Sequence, residues 1–364
     1  MKAQSALSAD RISLDDSFEA VGEYYYEQGW TDGLPIVPPS PQRVEAMLAW
    51  TDRAAADELG EVPPRRALAT VEAVAINAVM AGCRPEYLPV LIAAVEAMLV
   101  ERVDLVAVQT TTHPVSPLLI VNGPIARELG VNCAYGLFGP GWRANATIGR
   151  AIRLILLNIG GGLPGLFDHA THGQPSKYTY CIAENEQDNP WEPLHVERGF
   201  DPEVSTVTVV PCESPHELND HSSRHSDGLL ITYANGMGTM ATNNAYMYGE
   251  PVLCLGPEHA AILAHDGHDK QSIRDYIFEH ARVPREIWTR GGCYNEKMNA
   301  DDFPGATAIP FIERPEDLIV IVAGGPGRHS VWMPTVGNIA MSATKPISRK
   351  DGQPVRSIEE FRPR

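Results

Sequence analysis

The sequence has few of the features that mark disulfide-stapled, zinc-ribbon or membrane-spanning proteins. Its 364 residues include only 6 cysteines, which are scattered along the chain without any C-x-x-C pair. Such scatter is typical of a reduced cytoplasmic protein. The amino terminus lacks an apolar stretch of signal-peptide length, and the longest apolar run, residues 88–100, is interrupted by Glu96 and is too short to cross a bilayer. We therefore expect a cytoplasmic protein.

Positive charge is also scarce. The chain has 29 basic and 46 acidic residues, a net charge of −17. This charge repels phosphate backbones and anionic lipids, so we expect no nucleic-acid partner and no membrane partner. A hydrophobic content of 44% with 21% charged residues excludes a wholly disordered chain. A chain of this length buries a sizeable core without disulfides or a structural metal.

The patterning divides the chain into three regions. Residues 1–104 are predicted to be mainly helical, with helices at 15–29, 41–50, 65–82 and 89–102. Residues 105–344 alternate short β-rich segments with helical stretches at 144–158, 258–265 and 270–281, and no internal repeat is visible. This alternation predicts an α/β core that carries the site, with a mixed or largely parallel sheet flanked by helices.

The β-rich segments are DLVAVQ, PLLIV, STVTVV, GLLITYA, PVLCLG and DLIVIVAGG. Residues 345–364 hold six basic and three acidic side chains with little apolar material, and they are interpreted as a solvated C-terminal arm. Such an arm could wrap onto a second subunit, and we expect a homo-oligomer.

Two glycine-rich segments are weak candidates for a nucleotide loop. GGGLPG at 160–165 matches G-x-G-x-x-G, yet it follows a predicted helix, and Pro164 blocks the helix that should begin there. GMGTMA at 236–241 lies too close to the next strand to leave room for a crossover helix. The P-loop pattern GxxxxGK[ST] is absent, so the sequence argues against a nucleotide cofactor.

A third glycine loop is a better candidate for a functional site. The apolar segment DLIVIVA leads into Gly324, Gly325 and Gly327, which are followed by His329. Glycines let backbone N–H groups approach an anion or a developing oxyanion, and a neighbouring histidine can transfer protons. The alternative is a strand end that needs positive φ, with His329 bonded to the backbone.

The predicted helix at 144–158 carries three arginines, Arg143, Arg150 and Arg153, along one face. They could hold a carboxylate or a phosphate, or pair with acidic residues of the chain itself. Arg143 and Asn145 are candidate substrate-binding residues at the start of this helix.

The chain has 12 histidines, several of them clustered. His113 is predicted to follow a strand directly and is a candidate catalytic residue. His216, Asp220 and His221 are close enough in sequence to suggest a divalent metal site, which typically combines imidazole and carboxylate ligands with an open position for water. H-E-x-x-H spacing is absent, and the alternative is that these side chains make ordinary hydrogen bonds.

The segment HGQPSKYTYCIAENE contributes Lys177 and Glu184 as candidate catalytic residues and Tyr178 as a candidate substrate-binding residue. Lysine, tyrosine and glutamate side chains within reach of one another can supply acid and base roles, although a half-buried strand would show the same pattern. Cys83 lies beside Arg84, which would favour a reactive thiolate; a buried, inert cysteine is the alternative.

Long stretches of the chain resemble a bacterial family that is found with, or is related to, proteins bearing a UGSC or CGSC motif, in which the U is selenocysteine. These stretches are WTDGLPIVPP, MAGCRPEYLPV, THPVSPLLIVNGPIARELG, RANATIGRAIRLILLN, HGQPSKYTYCIAENE, WEPLHVERGFDPE and IVAGGPGRHS. The U/C-G-S-C motif itself is missing here. The resemblance implies a soluble bacterial enzyme or enzyme subunit, assisted by a separate thiol protein.

The residues together predict an enzyme, a lyase or hydrolase that cleaves or hydrates a carbon–heteroatom bond of a small polar or anionic molecule. In this hypothesis protons are moved by His113 and by His329 or Glu184, and the anion is held by Lys177 and Arg143. One alternative is a metal-dependent hydrolase that uses His216, Asp220 and His221. Another is a redox or partner subunit that exchanges thiols through Cys83 or Cys181. All three hypotheses predict that loops distant in the sequence meet in one pocket.

Overall fold

The computed structural model describes residues 7–290 and 303–363. The α-helices of these residues are α1 (Phe18–Glu27), α2 (Pro41–Leu48), α3 (Val71–Ala81), α4 (Leu88–Met98), α5 (Leu105–Thr110), α6 (Pro124–Glu128), α7 (Arg143–Asn158), α8 (Leu194–Glu197), α9 (Ser226–Met237), α10 (Asn244–Met247), α11 (Pro257–His265), α12 (Lys270–His280) and α13 (Arg285–Arg290). The strands are β1 (Glu58–Val62), β2 (Ala67–Thr70), β3 (Ser116–Asn122), β4 (Cys181–Ala183), β5 (Thr206–Cys212), β6 (His216–Asn219), β7 (Val252–Leu255), β8 (Arg282–Pro284), β9 (Ala308–Pro310), β10 (Ile319–Val322), β11 (His329–Met333) and β12 (Ala343–Pro346).

Two mixed four-stranded sheets form the centre of the α/β fold. The first sheet has the order β12-β5-β3-β4, and the second has the order β10-β7-β11-β6. Each contains one parallel pair, β3 with β4 and β7 with β10, while the other neighbours are antiparallel. Two small sheets, β1-β2 and β8-β9, lie outside this centre.

The two sheets stack face to face, with helices on their outer faces. Side chains at alternate positions of each sheet share one apolar core, as Leu118 and Ile120 of β3 do with Cys254 and Ile321 of β7 and β10. The opposite face of the first sheet packs against α3, α4 and α7. The opposite face of the second sheet packs against α9, α11 and α12. Both sheets are thus covered on both faces, which explains their nearly continuous apolar strands.

The connectivity of the two sheets repeats, although the sequence shows no repeat. In each half a parallel pair is joined through helices, and an antiparallel third strand follows: β3, β4, β5 in one half and β7, β10, β11 in the other. The fourth strand is exchanged, since β6 follows β5 but pairs with β11, and β12 follows β11 but pairs with β5. Where the two connections cross, the Glu213 N–H donates to the Pro334 carbonyl at 2.7 Å.

Three segments differ from their predicted secondary structure. DLVAVQ forms helix α5, capped by the Asp104 side chain, and GLLITYA lies within helix α9. Short apolar runs fit a buried helix as well as a strand, so periodicity alone cannot decide between them. Residues 67–70, predicted as helix, form the second strand of the β1-β2 hairpin, and α3 begins after the N-cap Thr70.

The carboxyl-terminal segment is not a solvated arm. Its first residues belong to β12, and Ile347, Val355, Ile358 and Phe361 are buried in the core that covers the first sheet. Because polar residues separate these apolar side chains, the composition of the segment did not indicate that they are buried. No helix among the described residues has the length and apolar character needed to cross a membrane.

Candidate functional site

A small cavity lies between α7 and the amino-terminal end of β3. The space inside it is about 10 Å³, which is about the room that one water molecule needs. Its lining residues are Ser116, Pro117, Gly149, Ile152, Arg153, Leu156, Ser176, Lys177 and Tyr180.

Helix α7 reaches this position because Gly149 has no side chain. A Cβ atom at Gly149 would lie 2.5 Å from the backbone nitrogen of Tyr180 and would also overlap the Thr179 hydroxyl. The same hydroxyl donates to the carbonyls of Asn145 and Ala146, at 3.1 and 2.9 Å, and ties the helix to the chain before β4. This close approach buries Arg153, one helical turn further along.

The Arg153 guanidinium is buried without a carboxylate partner. Its Nε donates to the Lys177 carbonyl at 2.6 Å. Within residues 7–290 and 303–363 its two Nη atoms make no hydrogen bond or ion pair. Burial lowers the pKa of Arg153, while the nearby Asp168 and Asp32 oppose this shift. A guanidinium whose two Nη atoms have no protein partner can donate to an anion.

The other two cations near the cavity are neutralised. The Lys177 Nζ lies 2.8 and 2.6 Å from the two carboxylate oxygens of Asp168. Burial lowers the pKa of Lys177, and Asp168 opposes that shift. Arg150 forms a two-pronged ion pair with Asp32, with both distances 2.8 Å. Arg153 differs from both, because no carboxylate of the described residues lies within ion-pair distance of it.

The second half of the fold provides an internal comparison for Arg153. Arg274 lies on α12, a helix that joins the parallel pair β7 and β10. Its Nε donates to the Leu318 carbonyl just before β10, at 2.9 Å, as Arg153 Nε does to the chain before β4. Arg274 Nη2, however, is paired with Glu197 at 3.0 Å. An arginine at this place in the fold can thus be neutralised, and the first half leaves its arginine free.

A histidine–glutamate pair adjoins the cavity through Tyr180. The Nε2 of His113 lies 2.8 Å from Oε1 of Glu213, and Tyr180, which lines the cavity, donates its hydroxyl proton to the Glu213 carbonyl at 2.8 Å. His113 Nδ1 is shielded from solvent and has no partner among the described residues. If the carboxylate holds the proton on Nε2, Nδ1 carries a free lone pair and can act as a base.

Gln174 supplies another unused polar group in this region. Its Oε1 accepts from the Ser176 N–H at 2.9 Å and from the Ser214 hydroxyl at 2.6 Å. Its buried Nε2 has no partner in the described part of the chain. Buried polar atoms without partners are uncommon in folded proteins, so two of them beside a cationic cavity mark a place for a ligand or water.

His113 and Lys177 are the predicted site residues that the structure brings into this region. His113 does not follow a strand, because the segment before it is helix α5 and β3 begins three residues later. Arg143 is exposed at the start of α7 and does not line the cavity; Arg153 of the same helix does. Arg150 pairs with Asp32, which confirms for that residue the alternative of internal ion pairing.

Asn145 and Tyr178 do not line the cavity. The Asn145 side chain accepts from the Asn132 N–H at 2.7 Å and donates to the Asn132 carbonyl at 2.9 Å, so its polar atoms are used to fix a loop. Tyr178 is 51% exposed on the surface next to Lys177. Neither arrangement supports the predicted role in substrate binding.

Glu184 is fully buried in a separate network. Its carboxylate accepts from the side chains of Asn122 and Asn189 and from the Leu194 N–H, at 2.7 to 2.9 Å. Burial raises its pKa, and Lys270, 3.9 Å away, counteracts part of that rise. Because both oxygens are occupied, the contacts favour a structural role over the predicted catalytic one.

The glycine loop and His329 form a further separate group. The Gly324 N–H donates to the Cys133 carbonyl at 2.8 Å, and Gly325 packs against the Tyr135 ring, so these two glycines serve packing instead of an oxyanion. Gly327 has a φ of 145° and no close neighbour. His329 is partly exposed and contacts Glu217 and His221 at 2.8 and 3.0 Å. Neither His329 nor these glycines line the cavity beside α7.

The predicted metal cluster has no support in the structure. Among the residues that the structure describes, no group of three or more histidine, cysteine or acidic side chains is arranged to hold a metal ion. The Asp220 carboxylate instead accepts hydrogen bonds from Ser222, Ser223 and Thr232. His216 lies on the edge strand β6, opposite Trp332 of β11, and His221 contacts His329.

The surroundings of Cys83 do not favour a reactive thiolate. Burial raises its pKa to about 12, and its Sγ contacts the Thr147 carbonyl at 3.2 Å. Such a thiol is protonated at neutral pH and is a poor nucleophile. Cys181, the other proposed exchanging thiol, is buried in β4. The neighbouring Arg84 therefore does not have the predicted activating effect.

No model of a known protein family matches this chain, and no curated protein matches it either. The site is therefore defined by its geometry. Asp168, Glu213 and Gln174 were not predicted as site residues from the sequence. The pair His113 and Glu213 is separated by 100 residues, and only the pairing of β3 with β5 brings the two together.

Proposed function

We propose that this protein is an enzyme, a lyase or hydrolase, that acts on a small anionic molecule bound at Arg153 beside α7. The observation that carries the proposal is the buried Arg153 guanidinium, which has two free nitrogens and no carboxylate partner among the described residues. The arginine at the corresponding place in the second half of the fold is neutralised by Glu197. An arginine at that position can therefore pair with a carboxylate, and we attribute the unpaired state of Arg153 to the binding of a ligand.

The cavity would bind the anion through the planar guanidinium. Arginine presents parallel N–H donors that match a carboxylate or phosphate group, and such charge-assisted bonds are stronger where water is excluded. Tyr180 and the α7 side chains Ile152 and Leu156 line the cavity beside this guanidinium. These interactions would fix the orientation of the substrate next to the proton-transfer group.

Proton transfer is assigned to His113. Glu213 would hold the proton on Nε2 and stabilise the imidazolium, and Nδ1 would take a proton from the substrate or from an attacking water. Tyr180 connects this pair to the cavity. A proton taken from carbon would begin an elimination, whereas a proton taken from water would begin a hydrolysis, so both reaction classes remain within the proposal.

Anion binding is tested with acetate, propionate, phosphate and sulfate. At ten times its Kd, an anion should raise the stability of the native state by about 1.4 kcal/mol, measured as a rise in Tm. The rise should disappear in Arg153→Gln and persist in Arg143→Gln, which removes an exposed arginine of the same helix. If none of the four anions changes the Tm, the proposal is wrong.

The role of His113 is tested by ¹H NMR on a panel of short hydroxy, amino and unsaturated carboxylic acids. Any conversion by the wild-type protein should slow by about 10²-fold or more in His113→Asn, while the anion-induced rise in Tm is kept. His172→Asn, which changes an exposed histidine, is the control. Equal rates in wild type and His113→Asn would remove His113 from the mechanism. Cytoplasmic location, a homo-oligomer and a thiol-protein partner stay predictions.

A further inference from the structure

Three unused polar atoms lie at the carboxyl end of β3, on residues that do not line the cavity beside Arg153. Asn122, Thr206 and His195 are completely buried, each with 0% of its surface exposed. Asn122 Oδ1, Thr206 Oγ1 and His195 Nδ1 nevertheless have no hydrogen-bond partner among the described residues. Because buried polar atoms are nearly always paired in folded proteins, these three atoms point to a bound group.

The fold brings the three side chains together. Asn122 of β3 and Thr206 of β5 are directly opposite each other in an antiparallel pair, so their side chains lie on the same face of the sheet. The Asn122 amide donates to Oε1 of Glu186 at 3.1 Å, and the same oxygen lies 3.8 Å from His195 Nδ1. His195 belongs to α8, so a group bound here would join this short helix to one end of the first sheet.

The unused atoms suit a ligand that donates hydrogen bonds. The side-chain oxygen of Asn122 can only accept. His195 Nε2 contacts the Pro202 carbonyl at 3.4 Å, and because a carbonyl cannot donate, this contact places the proton on Nε2 and leaves a lone pair on Nδ1. The Thr206 hydroxyl can accept as well. A ligand that pairs with all three atoms therefore needs several donors.

The charges next to Asn122 favour a cation. Its amide donates to the carboxylates of Glu184 and Glu186, at 2.7 and 3.1 Å. Lys270 Nζ lies 3.9 Å from Glu184 and makes shorter contacts with other oxygens. Arg127 lies 3.4 Å from Glu186, and its side chain is 67% exposed, so water weakens this pair. A cation bound beside Asn122 would be stabilised by both carboxylates.

We propose that Asn122, Thr206 and His195 form a buried site for an ammonium ion. Ammonium is a small cation that carries four N–H donors and no acceptor, which matches the three unused atoms and the carboxylates beside them. Hard metal cations prefer oxygen ligands, whereas one atom here is an imidazole nitrogen, so ammonium should bind more tightly than potassium or sodium. The inference is independent of the proposed function, because it uses none of the residues assigned to that site.

Thr206→Val tests the site because it exchanges the hydroxyl for a methyl group of nearly the same shape. Thr206 Oγ1 has no partner in the described chain, so the variant should fold as the wild type does. It should bind ammonium at least about tenfold more weakly. Thr208→Val is the matched control, since Thr208 lies on the same face of β5 and its hydroxyl contacts Thr344 at 2.8 Å. This control should lower the stability but keep the ammonium affinity.

Affinity is measured on the full chain at pH 7 by thermal unfolding with increasing ammonium chloride, while tetramethylammonium chloride keeps the ionic strength constant. Above the Kd, each tenfold increase in ammonium should raise the Tm by a similar further amount. Potassium and sodium chloride at the same concentrations should raise it less. With ¹⁵N-labelled ammonium chloride, the wild-type protein should also show an NMR resonance of bound ammonium that is distinct from the free ion.

Three results would overturn the inference. The first is a wild-type Tm that does not respond to ammonium, together with the absence of a bound resonance, since water would then be the group that pairs with these atoms. The second is a rise with potassium or sodium as large as the rise with ammonium. The third is an unchanged ammonium affinity in Thr206→Val, or the same loss of affinity in Thr208→Val.

Discussion

Gly149→Ala should destabilise the protein although it replaces glycine by the best helix former. Gly149 lies inside α7, and in an exposed helix interior this substitution gains about 1 kcal/mol. Here the new Cβ would lie 2.5 Å from the Tyr180 nitrogen and would also overlap the Thr179 hydroxyl. One of these neighbours is a backbone atom, so a side-chain rotation cannot relieve the overlap.

The expected size of the effect follows from these opposing contributions. Overpacking of a well-packed region typically costs about 1–3 kcal/mol, and more where backbone has to move. Because the overlap involves a backbone atom, we expect the upper part of this range, about 2–3 kcal/mol. After subtraction of the gain of about 1 kcal/mol in helix propensity, the net loss in the free energy of unfolding should be about 1–2 kcal/mol. Because Gly149 also lines the cavity, the displaced helix should weaken anion binding at Arg153.

Urea unfolding followed by circular dichroism measures this change as a shift of the transition midpoint. The matched control is Gly22→Ala in helix α1, where the new methyl group would meet no neighbouring side chain or backbone atom within 4 Å, so the midpoint should rise. The reasoning is refuted if Gly149→Ala is as stable as wild type or more stable, since the helix would then not depend on close contact with residues 179 and 180.

Two further predictions concern stability. Burial raises the pKa of Asp220, but hydrogen bonds from Ser223, Ser222 and Thr232 outweigh it and lower the pKa to about 2. A lowered native pKa stabilises the fold at pH values above the unfolded pKa of about 3.9. Asp220→Asn should therefore be less stable than the wild type at pH 7, and this difference in stability should shrink as the pH falls towards 2. A pH-independent difference in urea midpoints would contradict this. Phe361→Ala should cost about 3 kcal/mol of unfolding free energy because the ring is buried, and an unchanged urea midpoint would show that the carboxyl-terminal segment does not support the core.

Local patterns in the sequence predicted most of the elements that have clear boundaries. Helices α4 and α11 begin with proline in the first turn, α3 ends at Gly82, and α7 shows amphipathic spacing. The strands β3, β5, β7 and β10 lie in segments predicted as β. The predictions for the segments that form α5 and α9 were wrong, because a short apolar run has no periodicity that distinguishes a buried helix from a buried strand.

The candidate site was predicted only in part. His113 and Lys177 were identified by residue type, and Arg153 was noted as part of an arginine face. Their partners Glu213 and Asp168 were not, because an ion pair across a loop or between two strands leaves no spacing in the sequence. Glu184 was predicted as a catalytic residue because a glutamate side chain suits catalysis as well as it suits a structural role. Only its contacts show that both carboxylate oxygens are occupied.

The sequence by itself determined the α/β class and the position of many helices and strands, since caps, prolines and apolar periodicity act within a few residues. Tertiary structure alone decided the exchange of strands between two similar halves and the burial of the carboxyl-terminal segment. It also decided that, of the three arginines on α7, Arg150 pairs with Asp32 and Arg153 lines the cavity. These properties depend on hydrogen bonds and ion pairs between residues far apart in the chain, and no local pattern encodes them.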